Sequence, residues 1–484
     1  MQKKILVLGL VLGMINGWAK PPNILFISAD DLNNDLGVYG NPQVKTPHLE
    51  RLAEMGVRFD KAYCQQPLCG PSRASVMTGL RPNTTGFVGN KNDLRQLRPN
   101  VETMGQFFQK QGYYVARVGK VYHYNNPGSI GSNGNDDALT WQERFNPVGI
   151  DKQQEEKIIR FPGGKTGRKG GLGISMAYWD PVSEDEDHTD GKVASKVIEL
   201  IKEHKDEPFF IAAGFYNPHC PYVAPKKYFD LYPMDEITMQ PLDEAKKELE
   251  DVPPMAVQRD TNKRWPYYFK GVTVDEARKC KQAYYACNSF VDAQVGRLID
   301  ALEKNGLLEN TLIVFWSDHG YFLGEKGLWF KRKNFERSAR VPLLIAGPGI
   351  SQGQVNQATV ELLDLYPTLV DISGFEVPEQ LDGSSLRPLL KNPATVWNKP
   401  AFTQVVHNAN AQGYSIRTDD WRYTEWYEKS GRIAGTELYD HKNDPDEVTN
   451  LAKNPKHKTI IADLKAKLEP FASTRKNLRF TKNK

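Results

Sequence analysis

The segment Cys-Gly-Pro-Ser-Arg at residues 69–73 carries the residue types best suited to covalent chemistry in this chain. Pro71 suits the first turn of a helix, because the N–H that proline lacks has no partner in that turn. The spacing predicts a helix that begins just after Cys69, where free backbone amides and the helix dipole favour negative charge. Arg73 lies one turn further on and can reach back toward the same anion. These residues form a candidate oxyanion site, although a buried structural cysteine is the simpler interpretation of Cys69 alone.

Acidic side chains follow two continuous apolar runs. Asp30 and Asp31 follow the run at 23–29, and Asp318 and His319 follow the run at 312–316. Continuous apolar runs are typical of strands buried on both faces of a parallel sheet, where ligands bind beyond the carboxyl ends of the strands. These side chains would suit a divalent cation, and Ca²⁺ is the natural choice in an exported protein. A loop or helix cap is the alternative for the aspartate pair alone.

Basic side chains come after further predicted strands of the same part of the chain. Lys120 and His123 follow a strand at 113–118, His219 follows a strand at 208–214, and Lys331 comes after the Asp-His pair. Each of them alone has a simpler interpretation as a solvated charge or a structural histidine. Gathered at one edge of a sheet, they would surround an anionic group with positive charge and supply a proton to a leaving oxygen.

The order of the remaining elements predicts two units. Helices are predicted at 47–56, 101–112, 191–204, 273–305 and 362–372, with a further strand at 341–346, and Thr273 with Glu276 has the spacing of a capping box. Beyond a stretch rich in Pro, Asn and Lys at 386–399, strands at 401–406, 414–417 and 421–426 precede a helix at 458–471. The prediction is an α/β domain at 20–390, with a mixed, mostly parallel sheet flanked by helices, and a smaller C-terminal α+β domain at 391–484 with an antiparallel sheet.

The N-terminus predicts export. Lys3 and Lys4 precede an apolar run at 5–15 and small residues at 17–19, which indicates a signal peptide at 1–19; the run is too short for a membrane span. Five cysteines do not resemble a disulfide framework. The formal net charge of +4 over 484 residues argues against a nucleic-acid partner.

A glycine-rich region at 127–181 predicts a long surface loop over the active face. Its segment at 163–167 does not match a phosphate loop, because Ile159 stands where the first glycine is required and no strand precedes it. Lys165, Arg168 and Lys169 would be available to an anionic ligand, and a merely solvated loop is the alternative.

The pattern Cys-x-Pro-Ser-Arg-x-x-x-Met-Thr-Gly at 69–79 resembles the signature of the type I sulfatases, in which the cysteine is oxidised to formylglycine. Ala-Asp-Asp-Leu at 29–32, Val-Gly-Lys-Val-Tyr-His at 118–123 and Ser-Asp-His-Gly at 317–320 are similar to the iduronate-2-sulfatase group of that family. The resemblance spans nearly the whole mature chain and implies an alkaline-phosphatase-like fold. The region at 127–181 departs from it, and Asn217 stands where that group has a lysine.

The resemblance also implies a role for each candidate residue. Residue 69, as an aldehyde hydrate, would attack sulfur, and Asp318 would accept the proton of the attacking hydroxyl. Lys120, Lys331, Arg73 and a divalent cation would spread the transition-state charge, His219 would protonate the departing sugar oxygen, and His123 would assist release of sulfate. The metal ligands would be Asp30, Asp31, residue 69, Asp318 and His319, the last standing where related sulfatases often carry Asn.

The expected function is that of an exported, periplasmic or secreted sulfatase acting on a sulfated carbohydrate, such as a uronate 2-O-sulfate. Its partner would be a formylglycine-generating or anaerobic maturation enzyme, with no nucleic acid and no membrane span. One alternative is a phosphomonoester, phosphodiester or phosphonate hydrolase of the same superfamily. Another is a non-catalytic glycan-binding protein with a decayed site, against which the complete set of candidate residues speaks.

Overall fold

The structure is a computed structural model that describes residues 21–161, 171–257, 272–408 and 411–478. The predicted signal peptide and the segment with Lys165, Arg168 and Lys169 lie outside these ranges. The strands are β1 (Asn23–Ala29), β2 (Gly56–Tyr63), β3 (Tyr114–Gly119), β4 (Glu143–Phe145), β5 (Ile159–Arg160), β6 (Ala177–Trp179), β7 (Phe209–Gly214), β8 (Tyr222–Val223), β9 (Thr311–Ser317), β10 (Phe322–Leu323), β11 (Trp329–Phe330), β12 (Arg340–Ala346), β13 (Gln354–Glu361), β14 (Ala401–Asn408), β15 (Ala411–Arg417), β16 (Trp421–Tyr427) and β17 (Ile433–Asp440).

The largest sheet has eight strands in the order β13-β2-β12-β9-β1-β7-β3-β4. All neighbouring strands in it run parallel except at β12, which runs antiparallel to both β2 and β9. The predicted mixed, mostly parallel sheet is therefore confirmed. The sequence did not predict β2 and β13, because both alternate apolar with polar residues and β13 is an edge strand, so neither forms a continuous apolar run.

Helices cover both faces of this sheet. They are α1 (Pro47–Met55), α2 (Cys69–Thr78), α3 (Pro82–Thr85), α4 (Leu94–Leu97), α5 (Met104–Lys110), α6 (Ile150–Gln153), α7 (Thr189–Glu203), α8 (Lys226–Phe229), α9 (Leu242–Lys247), α10 (Pro254–Val257), α11 (Val274–Lys304), α12 (Glu336–Ala339), α13 (Leu365–Ile372), α14 (Arg387–Lys391) and α15 (Lys458–Ser473). Within the described chain, none of the helices combines the length and the apolar composition that a membrane span requires.

Alternate side chains of β1 enter two different cores. Leu25 and Ile27 pack against α1, α7 and α11 on one face, whereas Ile24 and Phe26 pack against α2, α5, α13 and α14 on the other. Both sets are fully buried, which is why the run at 23–29 is continuously apolar. The predicted capping box of α11 is confirmed, since Thr273 Oγ1 accepts from the Glu276 amide at 3.2 Å and Glu276 Oε2 accepts from the Thr273 amide at 2.8 Å.

The C-terminal sheet is an antiparallel meander of β14, β15, β16 and β17, as predicted. Helix α15 packs on one of its faces through Leu464, Leu468 and Phe471. The opposite face packs against Phe322 and Phe335, which come from the region just after β9. The boundary at 390/391 stays a prediction.

The region at 127–181 is not the featureless loop predicted from its glycines. It contains β4, α6, β5 and β6 in its described part, and β5, β6 and β8 form a small three-stranded sheet. These strands have only two or three residues each, too short to show a periodicity in the sequence.

Candidate active site

The cysteine of the 69–73 segment lies at the first residue of α2, preceded by Leu68 in an extended conformation. The predicted position at a helix N-terminus is confirmed. Cys69 is 1% exposed. Its Sγ lies 3.3 Å from Lys331 Nζ, 3.4 Å from His319 Nε2 and 3.9 Å from Asp31 Oδ1. Chain segments more than 200 residues apart thus meet at this sulfur.

The charges around Cys69 favour an anion at that position. Burial raises the pKa of the Cys69 thiol, but the positive charges of Lys331, Lys120 and His319 act in the opposite direction and hold that pKa well below its usual range. The helix N-terminus acts in the same direction as these charges. The position is therefore built for a group that carries negative charge.

The two acidic pairs meet because their strands are neighbours. β1 and β9 run parallel with Ala29 opposite Ser317, so Asp30-Asp31 and Asp318-His319 leave the sheet side by side. The amide of Asp31 donates to Asp318 Oδ1 at 3.1 Å, and Asp31 has a left-handed φ of 65°. The Tyr284 hydroxyl from α11 donates to the Asp31 carbonyl at 2.8 Å and so holds this turn. The predicted convergence is confirmed.

The donor set fits a divalent cation. One ligand atom from each of Asp31, Cys69, Asp318 and His319 lies within 4.8 Å of the others, and Asp30 belongs to a second, overlapping group with Asp31 and Cys69. Asp31 Oδ2 is buried and has no hydrogen-bond partner among the described residues, which is costly unless a ligand satisfies it. A cluster of carboxylate oxygens with one imidazole is a donor set that binds divalent cations.

The orientation of His319 agrees with this set. Its Nδ1 lies 2.9 Å from the Gly320 carbonyl, so Nδ1 carries a hydrogen. Its Nε2 then faces Asp31 Oδ1 at 3.3 Å and Asp318 Oδ2 at 3.6 Å. Burial lowers the pKa of His319, but Asp318 outweighs it and raises that pKa, so a bound cation would take the place of the Nε2 proton.

Arg73 faces carboxylates that cluster with residue 69, and its part in the reaction stays a prediction. It is fully buried, its Nε donates to Asp318 Oδ2 at 2.9 Å, and its Nη2 lies 3.4 Å from Asp30 Oδ1. Its Nη1 donates to the carbonyls of Lys120 at 2.8 Å and Val121 at 3.0 Å. All of α2 is buried, so residue 73 points into the fold and its guanidinium holds the two carboxylates from beneath.

Three residues predicted to act on charge and protons also meet here. Lys120 donates to Asp30 Oδ2, and Lys331 donates to Asp31 Oδ1. Burial raises the pKa of Asp30, but Lys120, His219 and Arg73 outweigh it and hold that pKa below its usual range. For Asp318 burial prevails over the attraction of Arg73 and raises the pKa to about 7. Asp318 is therefore the carboxylate of the site best suited to accept a proton.

The two histidines of the site have opposite protonation tendencies. Burial lowers the pKa of His219, but Asp31, whose Oδ2 lies 3.7 Å from His219 Nε2, raises it well above the usual value. Burial lowers the pKa of His123. Two groups whose environments push their pKa values apart are suited to act as an acid and a base in one site.

A pocket of about 550 Å³ opens above these residues. Its described lining includes Asp31, His123, His219 and Lys331 of the predicted site. A larger pocket of about 750 Å³ lies elsewhere, and none of the predicted site residues lines it. The chemistry-bearing residues therefore identify the smaller pocket as the candidate active site.

Sequence reasoning missed the residues that hold the site from behind. Tyr284 lies in the middle of α11, in a pattern indistinguishable from core packing. Asp190, at the start of α7, accepts the amides of Tyr216 at 2.8 Å and Asn217 at 2.9 Å and so fixes the turn that carries His219. Its place in the first turn of a predicted helix was the only signal that the sequence offered.

Comparison with protein families decides the identity of this site. The model of the Sulfatase family matches residues 22–375, which contain every candidate residue named above. The chain belongs to the sulfatase family. As a sulfatase it hydrolyses sulfate esters, and the model described as N-sulphoglucosamine sulphohydrolase, C-terminal, matches its residues 324–474.

This sulfatase is similar to characterised proteins over nearly its whole length. It is 36% identical to a sulfatase of Formosa agariphila, covering 94% of this chain and 87% of that protein. It is 31% identical to iduronate 2-sulfatase of Homo sapiens, covering 87% of this chain and 90% of that enzyme. The predicted resemblance to the iduronate-2-sulfatase group is confirmed.

Solved structures share the fold of this sulfatase. A 2-O GAG sulfatase has a TM-score of 0.71 at 25% identity, with 96% of this chain and 94% of that chain covered. The phosphonate monoester hydrolase of Silicibacter pomeroyi has a TM-score of 0.75 at 23% identity, with 94% and 96% covered. The likeness to the phosphonate monoester hydrolase shows only that the two proteins share a fold.

Proposed function

We propose that the protein is an exported sulfatase that removes sulfate from a sulfated carbohydrate, through a formylglycine formed from Cys69 and with one divalent cation, Ca²⁺. The observation that carries the proposal is the position of Cys69, at a helix N-terminus and within 4 Å of Lys331, His319 and Asp31. Export rests on the charged and apolar pattern at residues 3–15.

The hydrate of an aldehyde at position 69 would supply two hydroxyl groups. One attacks sulfur and loses its proton to Asp318, the ester S–O bond breaks, and His219 gives a proton to the departing sugar oxygen. The second hydroxyl then loses its proton to His123, the aldehyde C=O reforms, and the C–O bond to sulfate breaks. A thiol lacks that second hydroxyl, so an unmodified cysteine could not complete the cycle.

Positive charge around the sulfate is the second requirement. Lys120 and Lys331 lie beside Cys69 and would balance the charge of the sulfate oxygens. Asp30, Asp31, Asp318, His319 and residue 69 would hold a cation, which supplies further positive charge next to the same oxygens. Arg73 acts through Asp30 and Asp318, so its proposed role is that of a positioning residue.

Maturation has to precede folding. Cys69 is 1% exposed and its whole helix is buried, so a modifying enzyme could not reach it in the folded protein. The proposed partner is therefore a formylglycine-generating or anaerobic maturation enzyme that acts on the unfolded segment.

A uronate 2-O-sulfate is the substrate class best supported for this site. One relative is an iduronate 2-sulfatase and one structural neighbour is a 2-O GAG sulfatase. A pocket of about 550 Å³ is of the size that binds small molecules rather than long chains in a groove. We expect removal of sulfate from a terminal sugar.

Sulfate release by matured protein tests the proposal, with sulfated uronate and galactan oligosaccharides and an aryl sulfate as substrates. Release from a sulfated sugar is expected, and Cys69→Ala should abolish it while the protein stays folded. Equal release by Cys69→Ala would contradict the proposal. Hydrolysis of an aryl phosphonate ester in preference to the aryl sulfate would favour the phosphonate hydrolase alternative instead.

A further inference from the structure

Two arginines that the proposed sulfate chemistry does not use line the active-site pocket. Arg160 and Arg332 both line the 550 Å³ pocket together with Leu172 and Ile174. We refer to these four residues as the sugar wall. Arg160 is the last residue of β5, and Arg332 comes directly after Lys331.

Regular hydrogen bonding fixes Arg160 relative to the proposed acid His219. Arg160 pairs with Ala177 of β6, and β6 pairs with β8 immediately after the turn that carries His219. The Cys220 thiol also donates to the carbonyl of Gly173 at 3.0 Å. Arg160 and the segment with Leu172 and Ile174 are therefore attached to the turn of His219 by strand pairing and by the Cys220 thiol.

Arg332 is held beside the reacting group by its backbone. Phe330 and Arg332 have left-handed φ values of 69° and 73°, an uncommon conformation for residues with side chains. Lys331 between them reaches Cys69 and Asp31, while Arg332 lines the pocket. Such strained backbone persists where the surrounding structure imposes it, and it is frequent at binding sites.

Two carboxylates of the pocket lining, Asp31 and Glu155, each form an ion pair with a lysine. Asp31 is paired with Lys331, and Glu155 is paired with Lys152. Arg160 and Arg332 bring two further guanidinium groups to the lining of this pocket. Guanidinium groups bind carboxylate and sulfate-like groups in a fixed, often bidentate geometry.

The remaining surface of the sugar wall suits a sugar ring. Leu172 is 8% exposed and Ile174 is 40% exposed, so an apolar side chain faces the pocket next to the arginines. A ring with one C–H face and two charged substituents would match this combination, whereas a neutral sugar with one sulfate would leave the arginines unused.

We propose that Arg160 and Arg332 bind a second anionic group of the substrate, carried by the sugar that bears the reacting sulfate or by its neighbour. The inference rests on the proposed function and assigns two specificity-determining residues to the second negative group of its substrate. The chemistry fits either a uronate carboxylate or a second sulfate.

Paired substrates test this inference. We would measure kcat/KM for a 2-O-sulfated uronate disaccharide and for the same disaccharide with its carboxylate reduced to an alcohol. A second pair would be a hexosamine with two sulfates and one with a single sulfate. The wild-type enzyme should prefer the doubly charged member of at least one pair by about tenfold or more, and the pair that shows the preference identifies the second anion.

Substitution of each arginine tests whether it causes the preference for the doubly charged substrate. Arg160→Gln and Arg332→Gln should each reduce the ratio of kcat/KM between the members of that pair by about tenfold. Lys157→Gln is the control, because Lys157 is an exposed lysine of the same segment that does not line the pocket, and it should leave the ratio unchanged. Thermal melting of each variant separates loss of binding from loss of folding.

Three outcomes would overturn the inference in different ways. Equal kcat/KM within both wild-type pairs overturns it and leaves the proposed function intact. The same holds if the ratio persists in both arginine variants. Hydrolysis of an aryl sulfate with no activity on any sulfated sugar contradicts the proposed function, and the inference with it.

Discussion

The bottom and the side of the active-site pocket are built in different ways. Asp31 lines the pocket, and Asp30, Cys69, Asp318 and His319 cluster with it; all five are at most 1% exposed and follow long strands or begin a buried helix. We call these five residues the pocket floor. The sugar wall comes from a two-residue strand, a short 3-10 helix at Leu172–Ile174 and the chain after β11, and its side chains other than Leu172 are partly exposed.

This difference separates the reaction from the choice of substrate. The floor is held by the central sheet, so its geometry cannot change without disturbing the core of the fold. Three residues of the sugar wall, Arg160, Leu172 and Ile174, lie on short elements in the region at 127–181, and we expect this region to vary without affecting the chemistry. Substitutions in the floor should therefore affect kcat for every sulfate ester, and those in the wall should affect KM for sugars alone.

The largest effect is expected from Asp31→Asn, which removes charge from the pocket floor at nearly constant shape. It should lower kcat/KM by about 1,000-fold on every substrate, because Asp31 contacts Lys331 and contributes to the candidate cation site. Calcium titration by calorimetry should show weaker binding than in the wild type. Retention of full activity would contradict the assignment of Asp31 to the floor.

Arg73→Lys tests how the Arg73 guanidinium positions Asp30 and Asp318 of the pocket floor. A lysine cannot replace the guanidinium contacts to Asp30 and Asp318 at once, so both kcat and stability should fall, by about 100-fold and about 3 kcal/mol. KM should change little, because Arg73 does not line the pocket. Chemical denaturation and steady-state kinetics measure the two effects. Lys326→Met is a useful contrast, since it breaks a buried pair with Glu248 far from the floor and should reduce stability without reducing kcat.

Asp190→Asn should have a moderate effect on kcat, because Asp190 holds the turn that carries His219. Asp190 holds the amides of Tyr216 and Asn217, and we expect kcat to fall about tenfold with the pH optimum displaced, because His219 is held less firmly. A purely structural role for Asp190 would lower the melting temperature and leave the pH profile of kcat unchanged.

Asp190→Asn should also change how the free energy of unfolding depends on pH. Burial raises the pKa of Asp190 from 3.8 to about 7, so the folded state favours the protonated acid. The contribution of this proton to the free energy of unfolding is complete below pH 4 and is lost as pH rises through about 7. The reason is that the unfolded chain releases the proton at a lower pH than the folded protein does. The difference in unfolding free energy between Asp190→Asn and the wild type should therefore shift in favour of the variant between pH 4 and pH 7.

The smallest effect is expected from Ile174→Ser in the sugar wall. Ile174 is 40% exposed, so its replacement should barely affect folding, but it removes an apolar contact for the sugar ring. KM for a sulfated disaccharide should rise by about threefold, while kcat on a small aryl sulfate should stay the same. An equal change on both substrates would place Ile174 outside the sugar contact.

The pocket floor could be predicted from the sequence and the sugar wall could not. Continuous apolar runs at 23–29 and 312–316 predicted the adjacent strands, and the acidic pairs that follow them had to meet at one edge of the sheet. The direction in which Arg73 points depends on how α2 is buried, which local spacing does not reveal. Arg160 and Arg332 meet through a two-residue strand and two left-handed residues, and neither feature has a periodic signal.

The most direct test of the account compares the chemical state of residue 69 with activity. We would produce the protein with different amounts of a maturation enzyme, and determine in each preparation the fraction of aldehyde at position 69 by peptide mass and kcat by sulfate release. The account predicts that kcat is proportional to the aldehyde fraction and vanishes when that fraction is zero. Full activity in protein with an intact Cys69 thiol would contradict it.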